Sequence, residues 1–147
     1  MFFTRQRPAA DRAEVVLVTP DPALERAARG VFGAGMAELR VVAEPVERAE
    51  AKLDARAAVL VLDVDAGRRE DLQAAQRLAA KAAGRTAVIV VTEHFDEAVA
   101  RWLLQSRVAD YLRKPVSPAE LLRACAKSQA EVSTAGARPG RRARRLV

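Results

Sequence analysis

With 147 residues, half of them apolar, the chain is long enough for one domain with a buried core. The single cysteine, Cys125, excludes a disulfide within the chain. No apolar run approaches the ~20 residues that cross a bilayer, so we expect a cytoplasmic protein without a membrane span. Residues 1–130 carry 20 basic and 18 acidic side chains, so the net charge of +6 depends mainly on the chain's end. The five arginines there are Arg138, Arg141, Arg142, Arg144 and Arg145.

The first and last segments of the chain predict no packed structure. Residues 1–13 are polar and irregular, and we expect a flexible amino-terminal segment there. Residues 133–147 are rich in Gly, Pro and Arg, which indicates a basic disordered tail or linker. The domain itself is expected to span residues 14–132.

Within that domain, Val-rich apolar runs alternate with helical patterns. Continuous apolar runs are typical of strands that are buried on both faces of a parallel sheet. The predicted strands are residues 14–18, 38–43, 58–65, 86–92 and 108–112. Asp21 can cap the first helix, and the capping box Ser117-x-x-Glu120 opens the last one. The predicted helices run from residue 22 to Gly33 or Gly35 and over residues 45–56, 68–84, 95–107 and 117–132.

This alternation of strands and helices indicates right-handed βαβ units, and so an α/β fold with a parallel sheet covered on both faces. In such a sheet, ligand sites lie beyond the carboxyl ends of the strands. Four strand ends carry polar side chains, which are expected to meet in one crevice. They are Thr19-Pro20-Asp21, Asp63-Val64-Asp65, Thr92-Glu93-His94 and Lys114-Pro115.

The stretch "ADYLRKPVSPAELLRA", residues 109–124, is unusual because a strand runs into a lysine and a proline and then directly into a capped helix. A lysine at the mouth of the sheet can reach a carboxylate on a neighbouring strand. Pro115 is a candidate for a cis peptide bond and would fix the turn that aims the ammonium group of Lys114 inward.

Together with "VLVLDVDAG" and "VIVVT", this stretch makes residues 14–130 resemble the receiver domain of bacterial response regulators, the CheY-like family. The resemblance implies a flavodoxin-like three-layer sandwich with five helices and a five-stranded parallel sheet of order 2-1-3-4-5. It implies that Asp63 is the position that accepts a phosphoryl group from a histidine kinase. It also implies that Thr92 and Lys114 contact that group, and that Tyr111 is the aromatic residue whose orientation reports the state.

The sequence departs from the family at the magnesium site. The resemblance implies Mg²⁺ held by two acids after the first strand, but Thr19 and Pro20 stand at those positions. Asp21 follows one residue later, where its role as a helix cap explains it better. Asp63, Asp21 and Asp65 are the remaining metal candidates and make a weak site, so no cofactor is firmly indicated. Two hypotheses stay open: Asp63 is phosphorylated, or it forms a structural ion pair with the lysine.

A finer resemblance rests on "LVTPDPAL", "VLDVDAG" and "ARWLLQSRVADYLRKPV". These stretches are similar to the amino-terminal atypical receivers of pilus-assembly localisation proteins of the TadZ/CpaE type. The resemblance implies a non-enzymatic domain that is linked to a ParA/MinD-like ATPase and acts at a cell pole. The 147 residues contain no G-x-x-x-x-G-K-[ST] phosphate loop, so we expect an excised amino-terminal domain or a free-standing relative.

Two aromatic residues are candidates for a protein interface. In receivers the face made by the fourth helix, fifth strand and fifth helix commonly dimerises, and Trp102 and Tyr111 lie on those elements. The alternative is that both belong to the core. Cys125 is interpreted as a small core residue and His94 as a surface residue.

The sequence therefore predicts a phosphorylation-independent docking and dimerisation module, with a phosphorylatable, Mg²⁺-dependent receiver as the alternative. A third hypothesis, nucleic-acid binding through the arginine tail, is disfavoured because the rest of the chain is nearly neutral and lacks interleaved aromatic residues.

Overall fold

The computed structural model describes residues 14–32, 38–53, 57–82 and 84–137, with side chains as far as Ala130. These residues form one parallel sheet of five strands in the order β2-β1-β3-β4-β5. The strands are β1 (Glu14–Val18), β2 (Glu38–Val42), β3 (Val59–Asp63), β4 (Ala87–Thr92) and β5 (Asp110–Arg113). The predicted flavodoxin-like fold and strand order are confirmed. The predicted flexible segment at residues 1–13 and the arginines of the tail lie outside the described residues.

Five helices cover the sheet. They are α1 (Pro22–Phe32), α2 (Val46–Ala49), α3 (Arg69–Ala82), α4 (Glu97–Gln105) and α5 (Pro118–Ala137). A 3₁₀ turn at Glu50–Lys52 continues α2. Ser117 and Glu120 form the expected capping box at the start of α5, with bonds of 3.0 and 3.1 Å between each side chain and the other residue's N–H.

Two helix predictions need correction at their carboxyl ends. The helix predicted over residues 45–56 ends at Lys52, because Leu53 adopts an extended backbone (φ −108°, ψ 143°) and packs in the core. The last helix was expected to end at Val132, but α5 continues to Ala137. No proline follows Val132 until Pro139, so every residue of that stretch can donate its N–H to the helix.

The alternating side chains of each strand supply one core on each face of the sheet, which explains the uninterrupted apolar runs. The core that faces α2 and α3 includes Val16, Val18, Leu60, Leu62, Val88 and Val90. The core that faces α1 and α5 includes Val15, Leu17, Val59, Val61, Ile89 and Val91. Cys125 of α5 lies in the second core, where burial raises the pKa of its thiol to about 12. The thiol is therefore a packing group rather than a nucleophile.

Candidate functional site

A crevice of about 590 Å³ opens at the carboxyl edge of the sheet, where the loops after β1, β3, β4 and β5 meet. Parallel strands place all four loops on the same edge, which is why residues distant in sequence converge there. The charged side chains that line it include Asp21, Asp63, Asp65, Arg68, Asp71 and Lys114.

Asp63 is the centre of a small polar network in this crevice. Its carboxylate oxygen Oδ2 accepts a hydrogen bond from the ammonium group of Lys114 at 2.9 Å and another from the hydroxyl of Thr19 at 2.5 Å. Lys114 also donates to Oδ2 of Asp21 at 3.0 Å. The lysine at the end of β5 thus holds two carboxylates, one after β1 and one at the end of β3.

The loop after β1 orients Thr19 and Asp21 for these roles. Thr19 is 1% exposed, and its hydroxyl accepts from the N–H of Asp21 at 2.9 Å while it donates to Asp63. The other carboxylate oxygen of Asp21, Oδ1, accepts from the N–H of Ala23 and so caps α1. Asp21 is therefore a helix cap and a member of the crevice at the same time.

The hydrogen bonds between Lys114 and the two carboxylates shift the pKa values of Lys114 and Asp21. Partial burial disfavours the charged form of Lys114, but its hydrogen bonds to Asp63 and Asp21 outweigh this and raise the pKa of the ammonium group above its ordinary value. The hydrogen bond from Lys114 is the main reason why the pKa of Asp21 lies below its usual value. The lysine is cationic and Asp21 anionic at neutral pH.

Two predicted switch residues do not join this network. Thr92 is fully buried, and its hydroxyl has no partner among the described residues, while its carbonyl accepts from the N–H of Lys114 at 2.8 Å. Tyr111 stacks against Phe95 with ring centroids 5.0 Å apart, and its hydroxyl also has no partner within the described part of the chain. The Lys114–Pro115 peptide bond is cis.

The structure places the ammonium group of Lys114, rather than a set of metal ligands, between the carboxylates of Asp21 and Asp63. No group of three or more His, Cys, Asp or Glu side chains among them is placed to hold a metal. The side chain of Asp65 instead accepts from the N–H of Gly67 at 2.9 Å and so stabilises its own loop. Asp63 and Asp21 each accept a hydrogen bond from the ammonium group of Lys114. That group therefore occupies the position between the two carboxylates that a metal ion would need.

The sequence reasoning missed Asp71 as a member of this crevice. Asp71, in the first turn of α3, is 1% exposed, and its carboxylate accepts from the N–H groups of Glu47 and Asp65. A usable signal was present, because Asp71 lies three, four and seven residues before the buried Ala74, Ala75 and Leu78. An acid in line with an apolar stripe indicates a buried carboxylate that needs partners.

The interface candidates differ in how far they are covered. Trp102 and Leu103 are half-buried and pack against the core next to α3. Leu104 is 86% exposed and Phe95 42% exposed, and these are the exposed large apolar side chains of the described residues. His94, expected at the surface, is exposed at the edge of the crevice.

Comparison with known families decides which class of domain this is, since residues 15–126 match the model of the response regulator receiver domain. The chain belongs to this family. The matched residues include the strand ends that line the crevice, among them Asp63. Thr19 and Pro20 follow β1, where the resemblance described above implies an acidic pair.

Solved structures agree with the fold. A CheY-like receiver domain protein from Methanospirillum hungatei has a TM-score of 0.73 and 18% identity, with 86% of this chain and 100% of that chain covered. The pilus assembly protein CpaE from Caulobacter crescentus has a TM-score of 0.66 and 21% identity, with 79% and 98% covered. At these identities the likeness shows the fold alone. No curated protein sequence matches the chain. Within the described residues, no helix is both long and apolar enough to span a membrane.

Proposed function

We propose that this receiver domain works as a docking module whose activity does not depend on phosphorylation. The observation that carries the proposal is the closed network of Asp63, in which Thr19 and Lys114 both bind the same carboxylate oxygen. The hydroxyl of Thr19 takes the position of an acid that would bind metal, and the lysine holds Asp63 without a phosphoryl group.

The chemistry of phosphoryl transfer supports this proposal. Transfer to a carboxylate depends on cations that neutralise the charge on the transferring group. In this crevice the cation next to Asp63 is Lys114, and Asp21 shares it. No described acid group completes a metal site beside them. Asp63 is therefore held as a structural carboxylate rather than prepared as a nucleophile.

Calorimetric titration with Mg²⁺ and beryllofluoride, which mimics a phosphoryl group, tests the proposal. We expect no heat of binding with wild-type protein. A variant that restores the acids, Thr19→Asp with Pro20→Asp, is expected to gain binding, and adding Asp63→Asn to it removes that gain. Binding to wild-type protein that needs both Mg²⁺ and Asp63 contradicts the proposal.

One observation favours a second candidate, a phosphorylatable receiver that serves a histidine kinase. Asp21 comes one residue later than the family's acidic pair, yet its carboxylate reaches the crevice and lies 3.0 Å from the ammonium group of Lys114. A small movement of the lysine towards a phosphoryl group would release both carboxylates for Mg²⁺. The same titration separates the two candidates, because only the second predicts binding to wild-type protein.

We further propose that the docking partner includes a second copy of this chain, bound on the face of α4, β5 and α5. Leu104 and Phe95 supply exposed apolar area there, and Trp102 lies beside them on α4. Sedimentation velocity across protein concentrations tests this. We expect Leu104→Asp to abolish association, and Ala80→Asp, at an exposed position on α3, to leave it unchanged. A monomer at all concentrations contradicts this proposal.

The setting we infer is pilus assembly, with an attached or partner ATPase and a position at the cell pole. It is supported by the fold shared with CpaE of Caulobacter crescentus, which is described as a pilus assembly protein. A fluorescently tagged domain is expected to form polar foci that persist in Asp63→Asn and are lost in Leu104→Asp. Diffuse fluorescence of the wild-type fusion contradicts this setting.

A further inference from the structure

The proposed function does not use Asp71, although this residue is more deeply buried than Asp63 (1% against 7% exposed). It lines the crevice from the first turn of α3. A buried carboxylate is costly unless hydrogen bonds satisfy it. Its partners therefore indicate what it does.

The two oxygens of Asp71 bind two different segments of the backbone. Oδ1 accepts from the N–H of Glu47 at 3.0 Å, and Oδ2 accepts from the N–H of Asp65 at 2.9 Å. Glu47 lies in the first turn of α2, whose N-cap position is Pro45, a residue without a polar side chain to cap the helix. Asp71 thus caps α2 from another helix.

The second bond acts on the loop that follows Asp63. Asp65 lies two residues after it, and the residue between them, Val64, donates its N–H to the carbonyl of Val91 at 2.8 Å. The loop is thereby fixed to β4 on one side and to α3 on the other. Arg68 of the same loop, which also lines the crevice, pairs with Glu47 at 2.7 Å.

We propose that Asp71 is the positioning residue of the crevice, which couples α2 to the loop after Asp63 through its two carboxylate oxygens. The two oxygens of a carboxylate offer one acceptor to each N–H group. An asparagine offers one acceptor and turns its amide hydrogens towards the other N–H. Loss of the carboxylate therefore frees two segments that lie 18 residues apart in sequence, Glu47 and Asp65.

Magnetic resonance of the wild-type protein tests the geometry without a mutation. Scalar coupling across hydrogen bonds is expected between the carboxylate carbon of Asp71 and the amide nitrogens of both Glu47 and Asp65. Coupling to only one of these amides, or to neither, overturns the proposal.

Hydrogen exchange of Asp71→Ala, which removes both oxygens, tests the coupling. We expect the amides of Glu47 and Asp65 to lose protection at least about tenfold more than strand amides such as that of Val61. The matched control is Glu70→Ala, which changes the exposed neighbouring acid and should leave both amides protected. A loss that is uniform over the domain, or equal in the control, overturns the proposal.

A rescue variant separates the two bonds and serves if Asp71→Ala is weakly folded. Pro45 has the extended backbone of an N-cap (φ −62°, ψ 152°), so Pro45→Asp can supply a local cap to α2. In the Asp71→Ala background it should restore protection at Glu47 and not at Asp65. Restoration at both sites, or at neither, contradicts the role of Asp71 as the link between them.

Discussion

On the α2–α3 side of the crevice, several polar side chains reach from one element to another, whereas on the α4–β5 side, among the described residues, Lys114 alone does so. Asp71 of α3 binds the backbone of α2, and Arg77 of α3 makes a two-pronged pair with Glu50 at 2.7 and 2.9 Å. The side-chain hydrogen bonds of α4 and its two ends, among the described residues, stay within that helix.

The buried polar atoms show the same difference. Of the five in the described residues that have no partner, three belong to the α4–β5 side and its supporting strand. They are the hydroxyl of Thr92, the indole N–H of Trp102 and the hydroxyl of Tyr111. We infer that the α2–α3 side is the fixed wall of the crevice. The α4–β5 side is held by apolar packing, and its three buried polar groups gain partners only in a second arrangement.

Lys114 joins the two sides through its ion pairs with Asp21 and Asp63, which we call the tie. It belongs to the end of β5, and its two partners belong to the loop after β1 and the end of β3. Three features therefore distinguish the two sides and can be tested. They are the packing of α3, the ion pairs of Lys114, and the polar groups without partners on the α4–β5 side.

The largest effect is expected from the packing of α3. Leu78→Ala removes a leucine buried against the core and should lower the free energy of unfolding by about 3 kcal/mol. Leu104→Ala on α4 removes the same atoms from an exposed position and should change it by less than about 0.5 kcal/mol. Urea unfolding at low protein concentration measures both. Equal losses would show that α4 packs as tightly as α3 and would break the comparison.

The next largest effect is expected from the tie. Lys114→Met keeps the stem but leaves Asp63 buried without its cation, which should cost about 2 kcal/mol. Adding Asp63→Asn should recover most of this loss, so a double-mutant cycle in urea is expected to show strong coupling. Lys127→Met, at an exposed position of α5, is the control and should be neutral. Additive losses would mean that the two residues are independent.

The sequence predicted more of the fold than of the contacts within the site. The apolar runs at β1, β3 and β4 predicted buried parallel strands because such strands need no polar face. The contact between Asp63 and Lys114 could be predicted because both residues lie at the carboxyl ends of parallel strands. The extension of α5 and the early end of the helix after Pro45 could not be predicted. The early end depends on whether Leu53 gains more from helical bonding or from burial in the core. The extension of α5 depends on local helical bonding.

The partners within the site were less accessible to sequence reasoning. Thr19 was noticed only as a substitute for an acid, yet its hydroxyl binds Asp63 directly. The hydroxyl of Thr92 was expected to meet a phosphoryl oxygen, which stays a prediction, and in the described residues it is buried without a partner. A strand pattern gives the face of a residue and not the rotamer of its side chain, and the rotamer decides which hydroxyl reaches the carboxylate.

The two threonines offer a matched test of smaller size. Thr19→Val removes the hydroxyl bond to Asp63 and should lower the free energy of unfolding by about 1–2 kcal/mol. Thr92→Val replaces an unpartnered buried hydroxyl with a methyl group and should be neutral or stabilising by up to about 1 kcal/mol. Thermal and urea unfolding give both values. A loss in Thr92→Val equal to that in Thr19→Val would show that Thr92 has a polar role on the α4–β5 side.

The smallest effect is expected from Asp21, and its dependence on pH identifies it. Asp21→Asn retains the oxygen that caps α1 but loses the charge that faces Lys114, so the loss near neutral pH should be about 0.5–1 kcal/mol. Because the folded state lowers the pKa of Asp21 below its ordinary 3.8, this contribution is fully present above that pH and disappears as the pH falls through the folded value.

The raised pKa of Lys114 sets the upper limit of the same contribution, which is lost as the pH rises through the folded value above 10.5. The difference in unfolding free energy between wild-type protein and Asp21→Asn should therefore be flat from about pH 5 to 9 and shrink on both sides. In a Lys114→Met background it should be absent at every pH. A difference that survives in that background would place the stabilising role of Asp21 in the cap of α1 alone and remove it from the tie across the crevice.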